Sequence, residues 1–191
     1  MNQFKLIITV AGLATTLLFA CREKPAPVLA KEINAINLKT GDVVLCGPDD
    51  KGVGKVSFII SGDDSTINHF NFGIALLHSF EYDEAEKVFA QIIHRDPHCA
   101  MAYWGVAMSN YHPLWTPPEI PELTKGAKAL AIARSIEPKT PRETDYINAL
   151  TVFYTNWEKQ DHHTRCLQYE AAMQKLQEKY LQTALQMYLS L

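Results

Sequence analysis

The sequence predicts an all-α chain in which antiparallel helix pairs stack as a helix-turn-helix solenoid of about three repeats, preceded by a short β-hairpin or extended cap. Three observations carry this expectation. From Thr66 onward the apolar residues recur at helical intervals and continue to do so. Within that region small and aromatic residues return at related spacings, and prolines at 97 and 138 punctuate them. The stretch before Thr66 differs in kind. Val43-Val44-Leu45 and Val56-Ser57-Phe58-Ile59-Ile60 are β-favouring runs, and the turn formers Cys46-Gly-Pro-Asp-Asp-Lys-Gly-Val-Gly54 lie between them.

Taken in order, Met1 to Lys5 is polar with one positive charge, and Leu6 to Ala20 carries no charge. Fifteen residues are too few to cross ~30 Å of hydrocarbon comfortably, so the segment reads as a secretory signal over residues 1–20. The alternatives are a plain cleaved signal and an uncleaved anchor. Leu18-Phe19-Ala20-Cys21 resembles the lipobox of bacterial lipoproteins. That resemblance implies cleavage before Cys21, a diacylglyceryl group on its thiol and acylation of the new amino terminus. Several acyl chains such as palmitate, at ~0.8 kcal/mol per buried methylene, hold a protein on a membrane. Arg22 stands where inner-membrane lipoproteins of enteric bacteria carry aspartate, which within the resemblance favours the outer membrane of the cell envelope. Residues 21–32, with Pro25 and Pro27, read as a lipid-anchored tether, and 33–65 as the β/turn segment.

Residues 66–191 hold the repeats. His69-x2-Phe72-Gly73-x2-Leu76, Ala85-x3-Phe89 and Pro97 reproduce the intervals W-x2-L-G-x2-Y, A-x3-F and P of a ~34-residue helix pair. On these residues the chain resembles the tetratricopeptide repeat (TPR), with His69 for tryptophan and Leu76 for tyrosine. In this reading Gly73 and Ala85 face each other across the pair, and Phe72, Leu76 and Phe89 fill the interface. Glu81-Tyr82-Asp83 forms the link, and Pro97 ends the second helix because it lacks the helical donor.

A second, looser copy opens at Ala100 with Tyr103-x2-Val106-Ala107 and closes with Gly126-x3-Leu130 and Pro138. Its extra length falls in His112-Pro-Leu-Trp-Thr-Pro-Pro118, where three prolines forbid a helix. The segment Pro97 to Gly105 resembles a junction found in exported bacterial TPR lipoproteins, over about residues 62–181 of this chain. A third unit starts at Pro141, with Tyr146, Ala149, Leu150, Phe153 and Trp157 on one stripe. After a polar break at 159–164 it continues with Cys166, Tyr169, Ala172, Met173, Leu176 and Tyr180. The final residues fall where a further pair would begin, which suggests a truncated or frame-shifted copy of a longer TPR protein.

Composition and motifs bound the function. The chain has 18 basic and 21 acidic residues, and removing residues 1–20 takes away only Lys5, leaving 17 against 21. No basic block is present, which argues against a nucleic-acid partner. No paired carboxylates, G-x-S-x-G or S-x-x-K occur, so no catalytic residue, cofactor or metal ligand is assigned and the chain does not read as an enzyme. The glycines of 46–54 lack the Gly-Lys-Ser/Thr of a phosphate loop. His94, His98 and Cys99, and Asp161, His162, His163 and Cys166, lack a full metal-ligand pattern. Their histidines read as solvated loop residues and Cys99 as a small buried one. With Cys21 lipidated, Cys46, Cys99 and Cys166 remain, an odd set whose pairing spacing cannot decide.

What the resemblance implies is binding, with a protein or peptide partner held on the first helix of each repeat. By helix position the partner-binding groove takes in Asn71, Ile74 and His78 in the first repeat and Trp104, Met108 and Tyr111 in the second. Trp115 stands over its edge. The same stripe would also serve as core. Only Lys87 and Arg95 occur between residues 66 and 111, outside the first helices, which disfavours capture of a C-terminal carboxylate. The expected role is a membrane-anchored interaction scaffold. The alternatives are a metal-binding or enzyme-accessory envelope protein whose site is built from the Cys46 hairpin and the repeat loops, or a truncated copy without function.

Overall fold

The computed structural model describes residues 30–45, 50–112 and 116–189, with side chains through Leu181 apart from those of Asp50 and Lys51. The expected signal segment, the lipidation site Cys21, Cys46 and Trp115 lie outside the described residues. The described part is all-α. Its helices are α1 (Ala30–Asn34), α2 (Asp64–His78), α3 (Tyr82–Arg95), α4 (Ala100–Ser109), α5 (Ile120–Ser135), α6 (Pro141–Tyr154) and α7 (His162–Leu189), with a 3-10 turn at Asp50–Val53.

Local chemistry sets the starts and stops. Asp63 caps α2, its carboxylate accepting the Thr66 N–H at 2.7 Å. Thr140 and Glu143 form a reciprocal capping box on α6, with Pro141 supplying the first helical residue. Pro97 follows α3 and Pro138 follows α5, each a few residues beyond the last helical turn. The link between α2 and α3 is 79–81, with Phe80 at φ 63°, so Tyr82 and Asp83 already belong to α3. Trp157 also leaves its expected stripe. The chain turns after Tyr154 with Asn156 at φ 52°, and Trp157 packs half-buried from the turn.

Successive helices pack as pairs: α2 with α3, α4 with α5, α6 with α7. The first helices also meet, α4 touching both α2 and α6. Phe89 of α3 is the keystone of the first two pairs. A Cβ added to Gly73 would sit 2.7 Å from its ring, and one added to Gly105 would sit 2.5 Å from it. The Phe89 ring is thus what Gly73 makes room for. Gly126 repeats the device against the Tyr154 ring, whose hydroxyl donates to the Ala107 carbonyl at 2.7 Å.

No strand forms among the described residues. The β-favouring runs 43–45 and 56–60 are irregular, and residues 46–49, where the expected hairpin would turn, lie outside the described residues. Backbone donors within and beside these runs go to helix side chains. The N–H of Lys39 donates to Glu86 at 2.8 Å, that of Val44 to Glu84 at 2.8 Å, that of Phe58 to Asn71 at 2.7 Å and that of Ser61 to Glu143 at 2.6 Å. Helix side chains take the place of a partner strand. The chain before α2 therefore runs against α5 and α3, and residues 56–61 lie over α2, α4 and α6.

Candidate functional site

The side-by-side helices α2, α4 and α6 present one face, and residues 56–61 occupy it. Alternation decides which side chains point inward: Val56, Phe58 and Ile60 pack on the core, while Ser57 is exposed and Ile59 is 69 % exposed. The Phe58 ring is held by all three helices. Its centroid lies 5.8 Å from Phe70 of α2, 6.1 Å from Trp104 of α4 in a stacked arrangement, and 4.9 Å edge-on from Tyr146 of α6. The Arg142 guanidinium sits 5.0 Å above the same ring and 5.6 Å from that of Tyr146.

Polar groups fix the segment at Phe58 and at Ser61. Asn71 Oδ1 accepts the Phe58 N–H. Glu143, 4 % exposed, accepts the N–H and the hydroxyl of Ser61 at 2.6 and 2.8 Å while also accepting from Thr140. Burial pushes the Glu143 carboxyl up, but the bonds from Ser61 and Thr140 outweigh it and hold the carboxyl below the usual glutamate value. Trp104 is 5 % exposed, and its indole N–H is buried without an acceptor.

The sequence-derived groove residues divide into groups. Asn71 and Trp104 meet on Phe58. Ile74 is core and His78 is exposed further along α2. Met108 and Tyr111 belong to a second cluster towards α7. There the Tyr169 hydroxyl reaches Met108 Sδ at 3.6 Å, and Tyr111 packs edge-on to Phe153 and Tyr169 at 4.6 and 5.2 Å. Phe58, Arg142 and Glu143 were not assigned to the site by sequence reasoning, and Tyr146 was assigned only to a stripe. The alternation of Val56, Phe58 and Ile60 was the available signal, since it announces one buried side without saying what buries it.

On the other side of the chain, Glu86 is 1 % exposed and accepts from Lys39 N, Lys125 Nζ and Asn110 Nδ2 at 2.8, 2.8 and 3.0 Å. Cys99 and Cys166 are free thiols. Cys99 is buried at the start of α4, and burial pushes its thiol up to about 11. Cys166 lies one turn from His162, Sγ to Nε2 3.4 Å. His94 and His163 are exposed, but His162 is not a solvated loop residue. It opens α7 with its ring edge-on to Phe153 and Nδ1 buried, and burial lowers its pKa. Among the described residues no group of three or more His, Cys, Asp or Glu could hold a metal ion, and no helix is long and apolar enough to cross a membrane.

Comparison with protein-family models, with curated proteins and with solved structures finds no match for this chain.

Proposed function

We propose that this protein is a lipid-anchored, TPR-like scaffold of the bacterial cell envelope that recruits a protein partner on the α2/α4/α6 face. The observation that supports the reading best is Phe58. A segment without helix seated across α2, α4 and α6, with its backbone N–H on Asn71 and its aromatic ring against Trp104 and Tyr146, is how a peptide would be held there. The spacing of Gly73, Ala85, Phe89 and Pro97 supports the repeat reading, and Leu18-Phe19-Ala20-Cys21 supports the anchor and the outer membrane. The chemistry is stoichiometric: lipid on Cys21 fixes the chain at a surface, and the face binds.

Two measurements test it. Incorporation of labelled palmitate, lost together with membrane association in Cys21→Ser, is expected for the anchor. Retention of both in that variant overturns it. Crosslinking from membranes is expected to yield a defined partner that Asn71→Ala and Trp104→Ala variants lose while remaining helical. Recovery of the same products with and without those changes rules out this face.

A further inference from the structure

We infer that residues 56–61 are a built-in competitor for the α2/α4/α6 face, and that the partner of this face is an extended peptide carrying an aromatic side chain. The inference rests on the scaffold reading and names both its partner class and its regulation. The occupied face is the template for the partner. It offers an acceptor, Asn71 Oδ1, for one backbone N–H, an aromatic seat of Phe70, Trp104 and Tyr146 under the Arg142 guanidinium, and Glu143 for a hydroxyl and a further N–H three residues on.

Three features make the resident segment removable. It has no regular structure, so its release breaks no helix, and the Asp63 cap of α2 is made with Thr66 on the far side of the junction. It lies between Gly54 at φ 79° and Gly62 at φ 145°, both in the region of backbone space that favours glycine, which gives it a pivot at either end. It also fits the face imperfectly. Ile59 projects into solvent, and the Trp104 indole N–H beneath is buried with no acceptor. A peptide carbonyl supplied by a partner would satisfy that donor, which the resident segment leaves unmatched. Tethered a few residues from α2, the segment competes at high effective concentration, so a free peptide sees only the fraction of molecules in which it has lifted.

The probe is a fluorescent peptide of residues 55–61, titrated into the full chain by anisotropy. The expected result is binding to Phe58→Ala at least about tenfold tighter than to the unaltered chain, since the competitor has lost its anchor. A probe carrying Phe58→Ala itself is expected to bind neither protein. Equal binding to both proteins, or none to a Phe58→Ala variant that keeps its helical circular dichroism, overturns the inference. Hydrogen exchange on the unaltered chain gives a second readout that needs no variant. The Phe58 amide is expected to exchange at least about tenfold faster than that of Phe89, because lifting the segment is cheaper than global unfolding. Exchange of the two at one common rate makes the segment a fixed part of the core and overturns the inference. A crosslinked partner whose yield is unchanged by Phe58→Ala counts against the competitor while leaving the scaffold intact. Peptide binding without any crosslinked partner counts against the scaffold alone.

Discussion

Ser61 gives both of its donors, the backbone N–H and the side-chain hydroxyl, to the carboxylate of Glu143, 82 residues further along the chain. The same carboxylate closes the capping box of α6 with Thr140. One side chain therefore starts a helix and fixes the segment that leads into α2. Bonds to a charged acceptor contribute about 1.5–3 kcal/mol each when buried, and unmatched donors cost more than bonds never made. Glu143→Gln is expected to lower unfolding stability by about 2 kcal/mol in denaturant melts. It should also speed exchange of the Ser61 amide by more than that of core amides in α4.

The same carboxylate gives a pH dependence. Its folded pKa lies below its unfolded value, so its contribution is fully present above the unfolded glutamate pKa of ~4.3 and is lost as pH falls through the folded value. Thermal melts between neutral pH and pH 3 should show stability falling on the acid side. The Glu143→Gln protein should show a shallower fall, and identical slopes would count against the assignment.

Gly105 on α4 has no room for a Cβ, because the Phe89 ring of α3 fills the space it would take. Gly105→Ala improves intrinsic helix propensity by up to ~1 kcal/mol, yet overpacking a closed core costs about 1–3 kcal/mol. The second effect wins, since Phe89 is fully buried between two helices and cannot swing out. A lower melting temperature is expected, with partial rescue in the Gly105→Ala, Phe89→Leu double variant, a coupling that a thermodynamic cycle measures.

Glu86 was legible in the sequence only as one acidic residue among several on an amphipathic helix. That helix, its C-terminal end and its apolar side follow from residues 81–97 by period and punctuation. The burial of Glu86 depends on Lys39, Asn110 and Lys125, which come from three other parts of the chain, and no local pattern announces such a meeting. The same holds for the segments before α2. Val56 to Ile60 has the alternation of a strand, which marks one side as buried, but the Phe58 N–H goes to Asn71 and that of the adjoining Ser61 to Glu143, both on helices. Local sequence specifies which side is buried, whereas tertiary structure chooses the acceptor. Trp157 shows the limit at helix ends. Its spacing from Phe153 continues the α6 stripe, and only the turn at Asn156 removes it.

Replacing Glu86 tests that buried cluster. Glu86→Ala leaves the Lys125 ammonium and the Asn110 amide facing each other without their shared acceptor, and also frees the Lys39 N–H. Loss of one partner from a buried ion pair costs about 3–5 kcal/mol, and Lys125, still partly in contact with solvent, puts the expectation at the lower end. Glu86→Gln keeps the shape and one acceptor oxygen, so it should cost less than Glu86→Ala. Equal losses for the two would mean that charge, and not packing volume, is what Glu86 contributes.

The two described free thiols should separate by rate. Cys99 is 6 % exposed and its thiol titrates near 11, so at pH 8 almost none of it is thiolate and reagent reaches it only through opening of the α3–α4 junction. Cys166 is half-buried on the first turns of α7, beside His162. Alkylation followed by peptide-level mass spectrometry is expected to modify Cys166 at least about tenfold faster than Cys99 under native conditions, the gap closing in denaturant as both thiols gain solvent. Raising the pH from 7 to 9 should leave Cys99 slow, because accessibility as well as ionisation limits it. Rapid labelling of Cys99 in folded protein would show that the start of α4 opens far more readily than its packing against α3 implies.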